Sequence, residues 1–319
     1  MAANEPRQLP IPLELGEAES GLGFVVRALR ANGVPFDWGV RWLGLQRHRP
    51  VDPYEVRRIA WALNVDADLL RSRFVTRDGN AGWVRLAGHR LRRQSASNRL
   101  YAKLCPHCVR ETGRLRLTWL LRAGVGCPWH GYSLIWRCPR CNQAIAWDRP
   151  DVDICRCGFP FRAVRDVPPL EPEVCAWLTW LEEAVCRTSA GPARHLLPQA
   201  LTHLSVDGAF RIVEALGVHA SANASVRSAL ASASTPPALG AVIARGVARF
   251  RTIEADPGSL QQFGSIVNQV ALSQLANDFA APEDHTLAWW LLLALRSGVD
   301  PGRTRAGARP KGQLPLFLT

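Results

Sequence analysis

Four short turns of the metal-ligand type lie between residues 105 and 157, and they constrain the fold of this chain more than any other feature. Each turn places two cysteines, or a cysteine and a histidine, with one or two residues between them: Cys105-x2-Cys108, Cys127-x2-His130, Cys138-x2-Cys141 and Cys155-x-Cys157. A turn of this kind aims two ligand atoms at one point, and two such turns complete a tetrahedron around zinc. The spacing therefore predicts two metal sites in the middle of the chain.

The four turns can be paired in sequence or alternately. Alternate pairing gives the cross-braced arrangement of RING-type modules, which keep only a few residues between their second and third ligand pairs, whereas seven separate His130 from Cys138. Sequential pairing is therefore favoured, and four protein ligands per ion predict two structural Zn²⁺ without an open coordination position. The predicted sites are Cys105, Cys108, Cys127 and His130, and Cys138, Cys141, Cys155 and Cys157. His107, inside the first turn, is expected to be exposed and to point away from the metal.

Positive charge is concentrated in the first half of the chain. The 319 residues include 39 basic and 27 acidic side chains, and residues 1–166 alone hold 27 basic and 15 acidic ones. Nearly all the basic residues are arginines, whose planar fork of donors suits phosphate or carboxylate, so an anionic partner is favoured. A GC-rich genome also raises the arginine content. Because no apolar signal segment precedes the fold, and the longest apolar run has nine residues, we expect a cytoplasmic protein.

Short helices are predicted before the cysteines. The clearest signal is Asp52-Pro53-Tyr54-Glu55, which combines an N-cap, a proline at the first helical position and the acid of a capping box. Further helices are expected over residues 20–32 and 36–45 and from residue 66. Several short helices with tight turns suit a helix-turn-helix domain, and they suit a generic helical bundle equally well.

Residues 76–104 form a basic stretch interleaved with apolar and aromatic side chains. Such a pattern suits phosphate contacts with nucleic acid, and it suits an acidic protein surface or a solvated linker as well. The candidate nucleic-acid-binding residues are Arg85, Arg90, Arg92, Arg93 and Arg99.

The C-terminal half has a neutral, helical pattern. Helices are expected over residues 173–187, 208–217, 236–254, 258–276 and 284–297. The predicted fold class is mainly α with small zinc-bound ribbon or finger modules. Its predicted parts are a helix-turn-helix-like region with a basic segment (1–104), tandem zinc fingers (105–165), a helical domain (166–300) and a flexible tail (301–319).

The sequence resembles the TniQ family, which includes the related TnsD proteins. The resemblance covers roughly residues 7–165, and the C-terminal half matches only in its helical pattern. The last pair, Cys155-x-Cys157, departs modestly from the family pattern and leaves the geometry of the second site less certain. The matching residues are Glu19, Ser20, the segment 27–33, CPHC at 105–108, Trp119, CPWHG at 127–131, Leu134 and CPRC at 138–141.

The resemblance implies a non-enzymatic target-selection subunit of a multi-protein DNA transposon. Such a subunit recruits an AAA+ ATPase, and through it the transposase, to attachment-site DNA or, as a homodimer, to a CRISPR Cascade–guide RNA complex. It implies a bacterial protein that associates with the nucleoid when engaged. A stand-alone zinc-containing DNA-binding regulator is the alternative. The sequence has no P-loop, GxSxG or HExxH motif, and nothing selects a catalytic triad from its dispersed acids.

A pentapeptide near the C-terminus resembles the motif by which bacterial proteins bind the replicative sliding clamp. Its glutamine provides a polar anchor, and its last two side chains suit an apolar pocket. The same side chains can instead dock onto the C-terminal helices. The candidate residues are Gln313, Leu314, Leu316 and Phe317.

Overall fold

The computed structural model describes residues 7–46, 49–96, 101–188, 197–221 and 235–297. The described residues form two compact units, one within residues 1–169 and 181–189 and the other within residues 170–180 and 190–319. Regular structure in the described ranges is mainly helical, with one three-stranded and one two-stranded antiparallel sheet, as expected for a mainly α fold. No helix in these ranges has the length and apolar character needed to cross a membrane.

The first unit begins with four helices. They are α1 (Gly21–Ala31), α2 (Phe36–Leu43), α3 (Pro53–Leu63) and α4 (Ala67–Ser72). Ser20 accepts a hydrogen bond from the N–H of Gly23 at the start of α1, and Asp52 and Glu55 form a capping box at the start of α3. A four-residue turn with Gly33 at φ 67° joins α1 to α2. The helix-turn-helix interpretation stays a prediction.

The basic stretch forms a three-stranded antiparallel sheet, which the sequence analysis did not predict. Its strands are β1 (Thr76–Arg77), β2 (Trp83–Leu86) and β3 (His89–Arg92). Ala87 and Gly88 both have positive φ, the geometry of a tight two-residue hairpin turn. Buried Val84, Leu86 and Leu91 alternate with arginines along these strands. This period of two was the available signal for strands.

Short elements surround the cysteine turns. They are α5 (Pro106–Thr112), a 3-10 helix (Leu117–Leu120), and a two-stranded sheet of β4 (Gly126–Cys127) and β5 (Tyr132–Ser133). Trp119 lies buried on the 3-10 helix. Little regular structure holds this region, so the cysteine clusters are the main candidates for what stabilises it.

The second unit consists of helices. Helix α6 (Pro172–Cys186) contributes its residues up to Trp180 to this unit and those from Leu181 to the first unit. The single helix expected over 258–276 is wrong: a 3-10 helix (Pro257–Phe263) and a separate helix that begins at Gln269 replace it, because Asn268 caps the second helix by accepting from the N–H of Ala271. The other helices are α7 (Gln199–Thr202), α8 (Val206–Gly217), α9 (Pro236–Ala255), α10 (Gln269–Asn277) and α11 (Pro282–Ser297).

Helices α8 and α9 approach each other closely through two glycines. A Cβ at Gly246 would lie 2.1 Å from the carbonyl oxygen of Val213, and a Cβ at Gly217 would lie 2.0 Å from that of Val242. Distances this short leave no room for a side chain. The core of the second unit therefore depends on glycine at both positions.

Candidate metal centres

The first cysteine cluster brings three sulfurs around one imidazole nitrogen. Nδ1 of His130 lies 3.6 Å from Sγ of Cys105 and 3.3 Å from Sγ of both Cys108 and Cys127, and the last two sulfurs are 3.5 Å apart. Cys105 precedes α5, Cys108 lies on it, and Cys127 ends β4. Gly131, at φ 70°, lets the chain turn back into β5 directly after His130.

These distances match a tetrahedral zinc ion. With Zn–S of about 2.3 Å and Zn–N of about 2.05 Å, tetrahedral geometry separates two sulfurs by about 3.8 Å and a sulfur from a nitrogen by about 3.5 Å. A disulfide would instead bring two sulfurs to about 2.05 Å, and all the cysteines are free. The donor set therefore suits a metal ion with four protein ligands.

A carboxylate holds His130 from the side opposite the sulfurs. Nε2 of His130 lies 3.0 Å from Oε1 of Glu111 on α5. When Nε2 carries the proton, its N–H donates a hydrogen bond to this oxygen, and Nδ1 presents its lone pair to the cluster. Sequence reasoning missed Glu111, because no spacing rule links a second-sphere acid to its histidine.

His107 is not exposed as expected. It is half-buried, and its ring stacks on those of His130 and Tyr132 with centroid distances of 5.2 Å in both cases. It does not belong to the metal-ligand cluster.

A buried lysine links the two halves of the first cluster. Nζ of Lys103 donates to the carbonyl oxygens of Leu121 and Gly124, at 2.7 and 2.6 Å. Burial lowers the pKa of this lysine to about 7. The segment before Cys105 is thereby tied to the segment before Cys127.

The second cluster consists of four cysteines. Sγ of Cys138 lies 3.7 Å from that of Cys157, and Sγ of Cys141 lies 3.8 Å from that of Cys155, the separation that tetrahedral zinc requires. All four sulfurs lie within 4.8 Å of one another, so the CxC pair reaches the cluster as well as a CxxC pair does. Cys138 and Cys155 are buried, whereas Cys157 is exposed. The eight predicted ligands are thus grouped in sequential pairs.

Arg149 is a buried cation beside the second cluster that sequence reasoning missed. It donates to the carbonyl oxygens of Ala146 and Asp151, at 2.7 and 3.0 Å. Burial lowers the pKa of its guanidinium to about 10, while the charges of Asp151 and Cys155 oppose that change. The flanking Arg156 instead pairs with Asp148. Arg149 is therefore placed to compensate thiolate charge.

Three of the predicted nucleic-acid-binding arginines share one face of the β1–β3 sheet. Trp83 lies opposite Arg92, and Arg85 lies opposite Arg90, so these four side chains point to the same side. We call them the basic face. Arg93 follows β3 and is exposed. Arg99 and the tail residues Gln313, Leu314, Leu316 and Phe317 lie outside the described residues.

Asp78 pairs with two arginines of the basic face. Its carboxylate lies 3.4 Å from Nε of Arg85 and 2.9 Å from Nε of Arg90. Burial disfavours the charged form, but the hydrogen bond from Arg90, the charge of Arg85 and the N–H of Gly79 outweigh it and lower the pKa of Asp78. The carboxylate is therefore ionised at neutral pH.

Glu19 and Asn32, two further residues on which the resemblance rests, make hydrogen bonds near the N-terminus. The side chain of Glu19 is buried and accepts two hydrogen bonds from Arg27, at 3.0 and 2.7 Å, and one from the N–H of Gly16. Asn32 binds the backbone of Ile11 through both its amide nitrogen and its oxygen. These contacts attach the N-terminal extended segment to α1.

Comparison with known protein families identifies a TniQ domain in this chain. The model of the TniQ family matches residues 10–134, which contain the whole first cluster and end before Cys138. No curated protein matches the chain. The resemblance inferred from the motifs is confirmed, over a shorter stretch than residues 7–165.

Proposed function

Because residues 10–134 form a domain of the TniQ family, we propose that this chain is the target-selection subunit of a multi-protein DNA transposon. The TniQ domain implies a protein that acts in transposition and in the selection of target DNA. The domain match carries the proposal. The two metal-ligand clusters and the basic face support it, because they suit a scaffold that meets nucleic acid and proteins.

The proposed role is non-catalytic. TniQ proteins are adaptors, and each cluster offers four protein ligands, which is typical of structural rather than catalytic zinc. Zinc, when bound, would supply cross-links between segments with little regular structure. Cys105, Cys108, Cys127 and His130 would hold one ion, and Cys138, Cys141, Cys155 and Cys157 the other.

We assign the adaptor two kinds of partner. On one side it engages the target, either attachment-site DNA or a Cascade–guide RNA complex, and it does so as a homodimer. On the other side it recruits an AAA+ ATPase, which brings the transposase. These interactions place it in the bacterial cytoplasm, at the nucleoid when engaged.

A reconstituted pull-down tests this function. The tagged full chain is mixed with the ATPase encoded beside its gene, with and without Cascade, guide RNA and attachment-site DNA. Retention of the ATPase together with one of the two targets is expected. The stand-alone regulator is favoured if the chain does not retain the ATPase but binds one operator-like sequence tightly, and if no transposase gene lies nearby.

The C-terminal pentapeptide provides a further proposed partner, the replicative sliding clamp. A labelled peptide of residues 309–319 is expected to bind purified clamp, and a peptide with Leu316→Ala and Phe317→Ala serves as the matched control. Absence of binding by the unaltered peptide at high micromolar concentration overturns this part of the proposal alone.

A further inference from the structure

The basic face presents guanidinium groups held in place by an aromatic ring. The guanidinium carbons of Arg90 and Arg92 lie 4.1 and 5.0 Å from the centroid of the Trp83 ring. A guanidinium that rests on an aromatic ring loses part of its freedom before any ligand arrives. The face is therefore partly ordered for binding an anion.

The burial of Trp83 indicates which anion the face suits. Trp83 is only 7% exposed, so it cannot offer a ring on which a base would stack. Surfaces for single-stranded nucleic acid depend on such stacking. Guanidiniums above a covered ring suit instead the phosphates of a duplex, whose bases are already stacked.

Asp78 competes for the same guanidiniums. It lies between Arg85 and Arg90, and 14% of its side chain is exposed, compared with 52% for Arg85 and 30% for Arg90. Both contacts are made to the Nε atoms, and a guanidinium has further N–H groups for a second anion. A phosphate that binds these arginines meets the negative charge of Asp78.

We propose that the basic face binds the phosphate backbone of duplex DNA and that Asp78 weakens this binding. The inference rests on the proposed function, in which the chain meets DNA at the insertion site. Contacts of this kind position a protein on DNA without reading its sequence. Weak backbone binding lets the choice of site depend on the guide or on the other contacts of the adaptor.

The test measures binding of the full chain to labelled duplex DNA by fluorescence anisotropy over a range of salt concentrations. Asp78→Asn is expected to tighten binding about threefold, the effect of one unit charge several ångströms away in water. Arg85→Gln with Arg90→Gln is expected to weaken binding and to reduce the slope of log K against log salt by about 2. Arg77→Gln is the matched control, because Arg77 pairs with Val84 and points to the opposite face. Asp68→Asn controls for loss of an exposed acid elsewhere.

Four outcomes overturn the inference: an unchanged slope in the double arginine variant, no tightening in Asp78→Asn, tighter binding to duplex RNA than to duplex DNA, or no binding of the unaltered chain to duplex DNA. Thermal unfolding and zinc content check that each variant is folded. The proposed function is judged separately by the ATPase pull-down. Retention of the ATPase together with an unchanged salt slope rejects the inference and keeps the function.

Discussion

Nε2 of His130 lies 3.0 Å from Oε1 of Glu111, on the opposite side of the imidazole from the three sulfurs of the first cluster. A carboxylate in this position fixes the tautomer and raises the basicity of the ligating nitrogen. Glu111→Gln is therefore expected to lower the zinc affinity of the first site by about 10- to 100-fold while the protein still folds. Competition with a chromophoric chelator measures the affinity.

The matched control for Glu111 is Glu14→Gln, which alters an exposed acid of the same unit. It is expected to leave both zinc affinities unchanged. Because 59% of the Glu111 side chain is exposed, a general loss of stability is not expected from its replacement. Equal zinc affinities for Glu111→Gln and the unaltered chain would show that the carboxylate does not support the ligand.

Replacement of a metal-ligating cysteine should disturb folding more when that cysteine is buried than when it is exposed. Cys127 is fully buried in the first cluster, whereas Cys157 is exposed at the edge of the second. Structural zinc contributes on the order of 10 kcal/mol to folding. We expect Cys127→Ser to yield insoluble protein, and Cys157→Ser to yield soluble protein with one zinc ion fewer. Elemental analysis and the yield of soluble protein measure these outcomes.

A Cys127→Ser protein that stays soluble and retains two zinc ions contradicts the assignment of the first site. Cys175→Ser is the control, because this half-buried cysteine on α6 belongs to neither cluster. It is expected to keep both ions and the stability of the unaltered chain.

The metal ligands could be predicted from the sequence because their signal is local. A CxxC or CxxH turn defines the direction of both side chains by itself, so the eight residues were found by spacing alone. The structure adds that the irregular Cys155-x-Cys157 pair reaches the cluster as well, with its sulfurs 3.7 and 3.8 Å from those of Cys138 and Cys141. Spacing could not establish this.

Residues that act through burial and distant contacts could not be predicted. In the sequence Lys103 is one basic residue among many, yet it is buried and its ammonium donates to carbonyl oxygens 18 and 21 positions away. Glu111 and Arg149 likewise depend on tertiary neighbours. The hairpin of β2 and β3 was missed for another reason: its alternating pattern was present, but the density of arginine favoured a linker or a binding segment.

The contact between α8 and α9 gives a prediction for the second unit. Gly246→Ala adds a methyl group 2.1 Å from the carbonyl oxygen of Val213. Alanine favours a helix by about 1 kcal/mol over glycine, but the forced separation of two packed helices costs about 3 kcal/mol. We therefore expect a net loss of stability and faster hydrogen exchange in both helices, measured by mass spectrometry.

Gly79→Ala is the control for this added methyl group, because a Cβ there meets nothing within 4 Å. It is expected to leave the stability nearly unchanged. If Gly246→Ala exchanges as slowly as the unaltered protein, α8 and α9 do not pack as closely as the structure has them.

A buried carboxylate makes the stability of the second unit depend on pH. Asp284 is fully buried and accepts hydrogen bonds from the N–H and hydroxyl of Ser205 and from the N–H of Ala281. Burial raises its pKa above the ordinary value of 3.8; these hydrogen bonds oppose the rise, and the charge of Asp207 adds to it. The folded protein therefore binds the proton more tightly than the unfolded chain. Its stability should fall as the pH rises from 3.8 through the raised pKa.

Comparison with Asp284→Asn isolates this contribution, because asparagine stays neutral at every pH. The quantity to follow is the difference obtained when the free energy of unfolding of the variant is subtracted from that of the unaltered protein. This difference is expected to decrease as the pH rises across this window. Urea unfolding at a series of pH values measures the difference. A difference for Asp284→Asn that increases with pH would mean that the hydrogen bonds from Ser205 and Ala281 outweigh burial and lower the pKa.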